Sequence, residues 1–282
     1  MMKTGIEASA YFDRNDPVTS LLRMKSHGYD CADFGLADTS DPLYSLSGEV
    51  LEKETARLKN AFAEAGIAIS QVHGPWRWPP QDATEEDRAE RFEKMVCCLT
   101  LTRLLGCENF VIHPIMPFGW GGDRPDEFHA LNLDFFTRLG KEAKREGVTI
   151  CLENMPMPDL PLARHDQLLA FLKELDPSVF AICLDTGHSV ICGVQPGKAV
   201  REIGKDLLRV LHVHDNDGRR DLHQLPGEGV IDWEDFGKAL AEIGFEGTVS
   251  LETSVKDKNE EKQRALAQTA ARLAGRYRDA GI

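Results

Sequence analysis

Apolar residues along the chain gather in eight short runs, and the segments between them follow a different period. The runs are TGIEASA (4–10), CADFGL (31–36), IAISQVH (67–73), NFVIHP (109–114), VTICLEN (148–154), VFAICLD (179–185), LLRVLHVHD (207–215) and GTVSLET (247–253). They are apolar nearly throughout instead of alternating, the pattern of parallel strands covered on both faces. The segments between them carry apolar residues at helical spacing. Residues 48–65 put Leu51, Leu58 and Phe62 on one face, and Gly66 is placed to end that helix. A second helix is predicted over 84–105, with Thr84 and Asp87 spaced as a capping box and Gly106 as its stop. A third spans 126–146 and stops at Gly147. Asp232 is placed to cap a helix through Phe236, Leu240 and Ile243 that ends at Gly244. A last helix carries Leu266, Ala270, Leu273 and Tyr277 on one side.

Eight strand-then-helix units in this length come to about 35 residues each, the spacing of a (β/α)₈ barrel. The rival is an open doubly wound sheet, which usually carries a glycine-rich phosphate loop after its first strand; GIEASAYFD is not one. No linker, low-complexity tract or short repeat interrupts the pattern. The expectation is therefore an α/β protein, a single (β/α)₈ TIM barrel domain over residues 1–282.

Composition narrows the partners. A hydrophobic fraction of 42% supports a sizeable core. With 33 basic and 46 acidic residues the net charge is −13, which argues against a large nucleic-acid surface but not against cations bound inside the acidic field. No run approaches the roughly 20 apolar residues of a membrane helix, and MMKTGIEASAYFD lacks the apolar stretch of a signal peptide. The seven cysteines show no metal-type spacing, and Cys151 and Cys183 sit in predicted strands. Reduced, mostly buried thiols in a cytoplasmic protein are expected.

The chemistry lies at the strand ends. Six of the eight runs finish in a metal-type ligand: His73, His113, Glu153, Asp185, His212 and Glu252. Strand C-termini of a barrel converge on one mouth, where active sites form. Each residue alone reads as an ordinary capping or hydrogen-bonding group. Six together, buried without partners, would be costly, and a divalent cation is the compensating charge. Glu153, Asp185, His212 and Glu252 make a mixed nitrogen and oxygen set suited to Mn²⁺, Co²⁺, Zn²⁺ or Fe²⁺. His188 lies three residues beyond Asp185, and Asp221 and His223 are within reach of the mouth from the loop after strand seven.

The motifs VHGP, VIHP, CLEN, CLDTGH, LHVHD, the D-x-H ahead of LPGEG, and SLET together resemble the xylose isomerase-like TIM barrels. That group includes sugar isomerases and epimerases and the apurinic endonucleases of the endonuclease IV type. The resemblance covers nearly the whole chain. In the epimerase branch it implies one divalent ion (Mn²⁺, Co²⁺ or Zn²⁺) on Glu153, Asp185, His212 and Glu252, with His212 preferred to His214 as the ligand from strand seven. Glu153 and Glu252 would exchange the proton of an enediolate. His73, Trp76, His113, His188, His214 and Arg219 would contact a sugar or sugar-phosphate substrate. In the endonuclease branch it implies up to three zinc ions, with His73, His113, His188, Asp221 and His223 as additional ligands, and a phosphoesterase acting on a phosphorylated small molecule or abasic DNA. The first strand lacks the Gly-x-His start of the endonucleases, and strand two reads closer to the sugar enzymes, which place an acidic residue after it. Where ketose 3-epimerases have an arginine six residues past the strand-seven histidine, this chain has Gly218, with Arg219 and Arg220 beside it. Relatives of this kind often form dimers or tetramers, so a homo-oligomer is expected.

Other features have plainer readings. HGPWRWPP (73–80) is a stacking platform or a rigid rim loop, FGWGGDRP (118–125) a lid, and MPMPDLP (155–161) a stiff loop whose methionines pack. His27, His129 and His165 are read as surface or capping residues.

Overall fold

All eight apolar runs form strands in the computed structural model, which describes residues 2–76, 82–119, 122–253 and 259–275. The strands are β1 (Lys3–Glu7), β2 (Cys31–Gly35), β3 (Ala68–His73), β4 (Asn109–Ile112), β5 (Thr149–Glu153), β6 (Phe180–Asp185), β7 (Leu208–His212) and β8 (Thr248–Leu251). They pair in parallel in the order β7-β6-β5-β4-β3-β2-β1-β8. The ring closes through Val213, whose N–H donates to Ser250 O (2.8 Å) and whose carbonyl accepts from Glu252 N (3.0 Å).

Helices pack between the strands: α1 (Pro17–Ser26), α2 (Gly48–Ala65), α3 (Glu85–Leu104), α4 (Pro125–Glu146), α5 (His165–Leu172), α6 (Thr186–Ile191), α7 (Pro196–Leu207), α8 (Trp233–Glu242) and α9 (Glu260–Leu273). This is the expected (β/α)₈ barrel. No helix among the described residues is long and apolar enough to cross a membrane. The predicted stops act as expected. Thr84 and Asp87 form the reciprocal capping box of α3, and Gly66 and Gly147 end α2 and α4 in the left-handed conformation that a side chain would strain.

Two strands end three residues short of the sequence pattern. The first strand ends at Glu7 instead of residue 10, because Tyr11 and Phe12 turn their N–H groups back onto Ala8 O. The seventh stops at His212. Beyond the single bridge at Val213, Asp215 exchanges two backbone hydrogen bonds with Gln224 and so starts the return of the following loop.

The core has two parts. Large side chains such as Phe110, Phe135, Phe136 and Phe236 fill the layer between strands and helices. Inside the barrel, Val111, Cys151, Ala181, Cys183 and Val210 form a separate plug of small residues. Side chains alternate along a strand, so the inward position two residues after Cys151, Cys183 and Val210 is Glu153, Asp185 and His212. The plug is thus the floor of the site. Not every inward position is apolar: Asp33 and Gln71 are buried beside His212.

All seven cysteines are free thiols, five of them buried. Neither His27 nor His165 is a surface residue, and His27 is a capping residue, at the C-cap of α1. His27 is buried between Tyr11 Oη (2.6 Å) and Glu260 Oε1 (2.5 Å), and His165 is buried with Nε2 2.6 Å from Glu202. Both gain a polar partner from a neighbouring element that the sequence does not place beside them. His129 is partly exposed and pairs with Glu174. Tyr277, Trp78 with Pro79 and Pro80, and Trp120 with Gly121 lie outside the described residues.

Candidate metal centre

His73, Glu153, Asp185 and His212 are the last residues of β3, β5, β6 and β7, and His113 and Glu252 follow β4 and β8 by one position. Parallel register brings all six to the same end of the barrel. Glu153, Asp185, His212 and Glu252 each offer a ligand atom, and those atoms lie within 4.8 Å of one another. His212 Nδ1 is 2.9 Å from Glu153 Oε1 and 3.3 Å from Glu252 Oε2.

Two further donor sets adjoin this quartet. On one side His113 Nε2 and His73 Nε2 approach Glu153 Oε2 at 3.2 and 3.5 Å. On the other, His188 Nε2 and His223 Nε2 each stand 3.3 Å from Asp221 Oδ2. Asp221 and His223 come from the loop after β7, held by His223 Nδ1 on Glu252 O (2.7 Å). His188 arrives through the turn into α6. Asp185 caps that helix by accepting from His188 N (2.6 Å), and His188 Nδ1 rests on Asn154 O (2.8 Å).

The charges are set by burial against pairing. Burial raises the Glu153 carboxyl, but the His212 and His113 imidazoles outweigh it and hold Glu153 well below the ordinary glutamate value. Glu252 goes the other way: burial, opposed by His212 and helped by Glu153, pushes it up to about 7. Asp185 is raised by burial but pulled down to about 2 by His188 and His214. Burial disfavours the charged forms of His212, His188 and His223, yet the surrounding carboxylates win. His212 rises well above its ordinary value, and His188 and His223 rise to about 10. His113 drops to about 4 through burial that Glu153 does not offset.

The fit to a cation can be read from unsatisfied atoms. Glu153 Oε2, Glu252 Oε2 and His113 Nδ1 are buried and make no hydrogen bond. Such atoms are costly unless something else meets them. A divalent ion suits the two carboxylate oxygens, since neighbouring imidazoles approach Glu153 Oε2 without hydrogen-bond alignment.

The expected substrate contacts divide. A cavity of about 530 Å³ opens above the quartet, lined by His73, Trp76, His113 and His188 on its polar side and by Met155 and Met157 on its apolar side. The two methionines thus shape the cavity wall as well as packing. Trp76 lies against His113 with ring centroids 4.5 Å apart. His214 is fully buried behind Asp185, with Nε2 3.0 Å from Asp185 Oδ2. Arg219 is exposed, in a turn where Asp217 accepts its N–H and that of Arg220, and it does not line the cavity. The acidic residue after strand two, Asp38, is exposed and bonded to Ser40. Sequence reasoning missed Asp33 within β2, whose Oδ2 lies 2.9 Å from His212 Nε2, and Asn154, whose amide clamps both backbone groups of Asp185. A carboxylate in the middle of an otherwise apolar strand was the available signal for the first.

Comparison with known proteins points to one family. A family model described as xylose isomerase-like TIM barrel matches residues 21–274. A D-psicose 3-epimerase of Enterocloster bolteae is 30% identical over 240 residues, covering 83% of this chain and 75% of that protein. A D-psicose 3-epimerase of Ruminiclostridium cellulolyticum is 34% identical over 126 residues, 44% of this chain and 41% of that one. The crystal structure of an IOLI protein with a bound zinc atom superposes with a TM-score of 0.78 at 20% identity, covering 98% of this chain and 99% of that chain, a likeness of fold. Among the first curated relatives it matches, the chain spans about half of their length or less, from 23% to 53%.

Proposed function

The chain belongs to the xylose isomerase-like TIM barrels, and from that premise we propose that it is a divalent-metal-dependent isomerase or epimerase of a sugar or sugar phosphate. The observation that carries this reading is the quartet Glu153, Asp185, His212 and Glu252, gathered within 4.8 Å at the floor of a cavity large enough for a sugar. Similarity to D-psicose 3-epimerases supports it.

Glu153, Asp185, His212 and Glu252 would hold a manganese, cobalt or zinc ion, which when bound would supply Lewis acidity toward a carbonyl and its neighbouring hydroxyl. The protein's own part is proton handling. Glu153, held as a carboxylate, takes the proton from the carbon beside the carbonyl and leaves an enediolate. Glu252, on the other face, would return a proton to that carbon. Two carboxylates on opposite sides of the substrate are suited to removing and returning one proton. His188 would polarise the carbonyl oxygen, and His73, His113 and Trp76 would contact the remaining hydroxyls.

Glu153→Gln and Glu252→Gln each preserve shape and remove the proton carrier. Each should lower turnover on a responsive ketose by roughly 10²–10⁴-fold without loss of the circular dichroism of the fold. Turnover within a few-fold of the parent in either variant would refute its assigned role.

A second reading rests on the two adjoining donor sets. With His73, His113, His188, Asp221 and His223 as additional ligands, the site would hold up to three zinc ions and act as a phosphoesterase. The described residues lining the cavity include Glu7, Asp33, Glu153, Asp221 and Glu252 but no lysine or arginine, so in this reading the ions themselves would have to meet the phosphate. Metal analysis separates the two: one ion per chain supports the isomerase, and two or three zinc ions support the phosphoesterase.

A further inference from the structure

Below the quartet, β2 and β3 place a second pair of polar side chains inside the barrel. Asp33 is 2% exposed and Gln71 is fully buried. Asp33 Oδ2 accepts from Gln71 Nε2 at 3.0 Å and lies 2.9 Å from His212 Nε2. Gln71 Nε2 also reaches the carbonyl of Leu211, next to His212, at 3.4 Å. The other ring nitrogen of His212, Nδ1, faces Glu153 and Glu252. One imidazole therefore has one nitrogen against a buried carboxylate and the other against the ligand oxygens.

We propose that Asp33 is a positioning residue for the metal centre: its carboxylate takes the Nε2–H of His212 and so presents the Nδ1 lone pair to the ion. The proposal rests on the reading of Glu153, Asp185, His212 and Glu252 as ligands. An ionised carboxylate only accepts. The tautomer with its proton on Nδ1 would set the Nε2 lone pair against the buried Asp33 carboxylate, and would leave no free pair for the ion. Gln71 fixes Asp33 in turn, because its amide donates to the same oxygen. The negative charge also raises the basicity of the ring as a ligand, and outer partners of this kind typically matter by about 10- to 100-fold in metal affinity.

The test is zinc affinity, read by competition with a chromophoric chelator, together with long-range ¹H–¹⁵N NMR of the imidazoles in zinc-loaded protein. Asp33→Asn should weaken zinc by about 10- to 100-fold, and Gln71→Leu should weaken it less. In the parent, His212 should carry its proton on Nε2 and zinc on Nδ1. Zinc on Nε2 overturns the proposal and needs no variant, so an Asp33→Asn protein that fails to fold leaves it decidable. A folded Asp33→Asn protein whose affinity stays within about threefold of the parent also overturns it while leaving the metal reading intact. A parent that binds no zinc, manganese or cobalt overturns both.

Discussion

At neutral pH the metal-free site holds protons where a cation would otherwise sit. Glu252, pushed up to about 7, is half-protonated, and His188 and His223, pushed up to about 10, are cationic. A metal takes ionised carboxylates and neutral imidazoles, so binding must expel protons. Apparent affinity should rise between pH 6 and 8, by up to about tenfold per unit for each proton released. Calorimetric titration in two buffers of different ionisation enthalpy would count those protons, and an affinity flat with pH would contradict the charge assignment. The same shifts bear on the chelated protein. His188 and His223 have folded values above the ordinary histidine value, so their stabilisation is complete below about 6.5 and is lost as pH rises through about 10. The melting temperature of metal-free protein should therefore fall from pH 7 to 10, and one ion on the quartet should leave that fall in place, whereas ions on His188 and His223 would abolish it. The ligand-type residues were legible because they recur at strand ends, where parallel register makes position in sequence equal to position in space. Asp33 was not, since its partner His212 is 179 residues away. Arg219, expected at the site from its nearness to His212 in sequence, lies exposed outside the cavity lining, in a turn where Asp217 accepts its N–H.

Among the elements, the turn from β6 into α6 does two tasks with one side chain. Asp185 points one oxygen at the backbone of His188 and the other at His214. Gly187 is the residue that lets His214 come this close, since a Cβ there would stand 2.0 Å from His214 Cε1 and 2.8 Å from Asn216 Nδ2. Gly187→Ala should cost about 1–3 kcal/mol through overpacking and should weaken metal binding by moving His214 off Asp185. Chemical denaturation and chelator competition would check both, and an unchanged protein would show that the cluster has slack. The same scale shows what sequence patterns carry. Helices α2, α3, α4 and α8 stood out because each has a side-chain cap or a following glycine. Helices α5 and α7 did not: neither Arg164 nor Gln195 caps its helix with a side-chain hydrogen bond, no glycine follows either helix, and Gly204 interrupts α7.

Over the whole molecule, counting units was enough to predict the barrel, because eight covered parallel strands have few other ways to bury both faces. How the ring closes could not be read that way. β7 and β8 share one bridge, Val213 against Leu251, while every other neighbouring pair runs in register for at least two residues. His212 and Glu252 flank that joint, one from each strand. An ion gripped by both would act as a buckle on a hoop. Stripping it should speed deuterium uptake at the amides of Val213 and Glu252 well before it touches the β5–β6 ladder. Equal uptake with and without metal would mean the hoop holds unbuckled. If the buckle is real, emptying the site also slackens the barrel wall, and the protein's resistance to proteases would track the cell's metal supply.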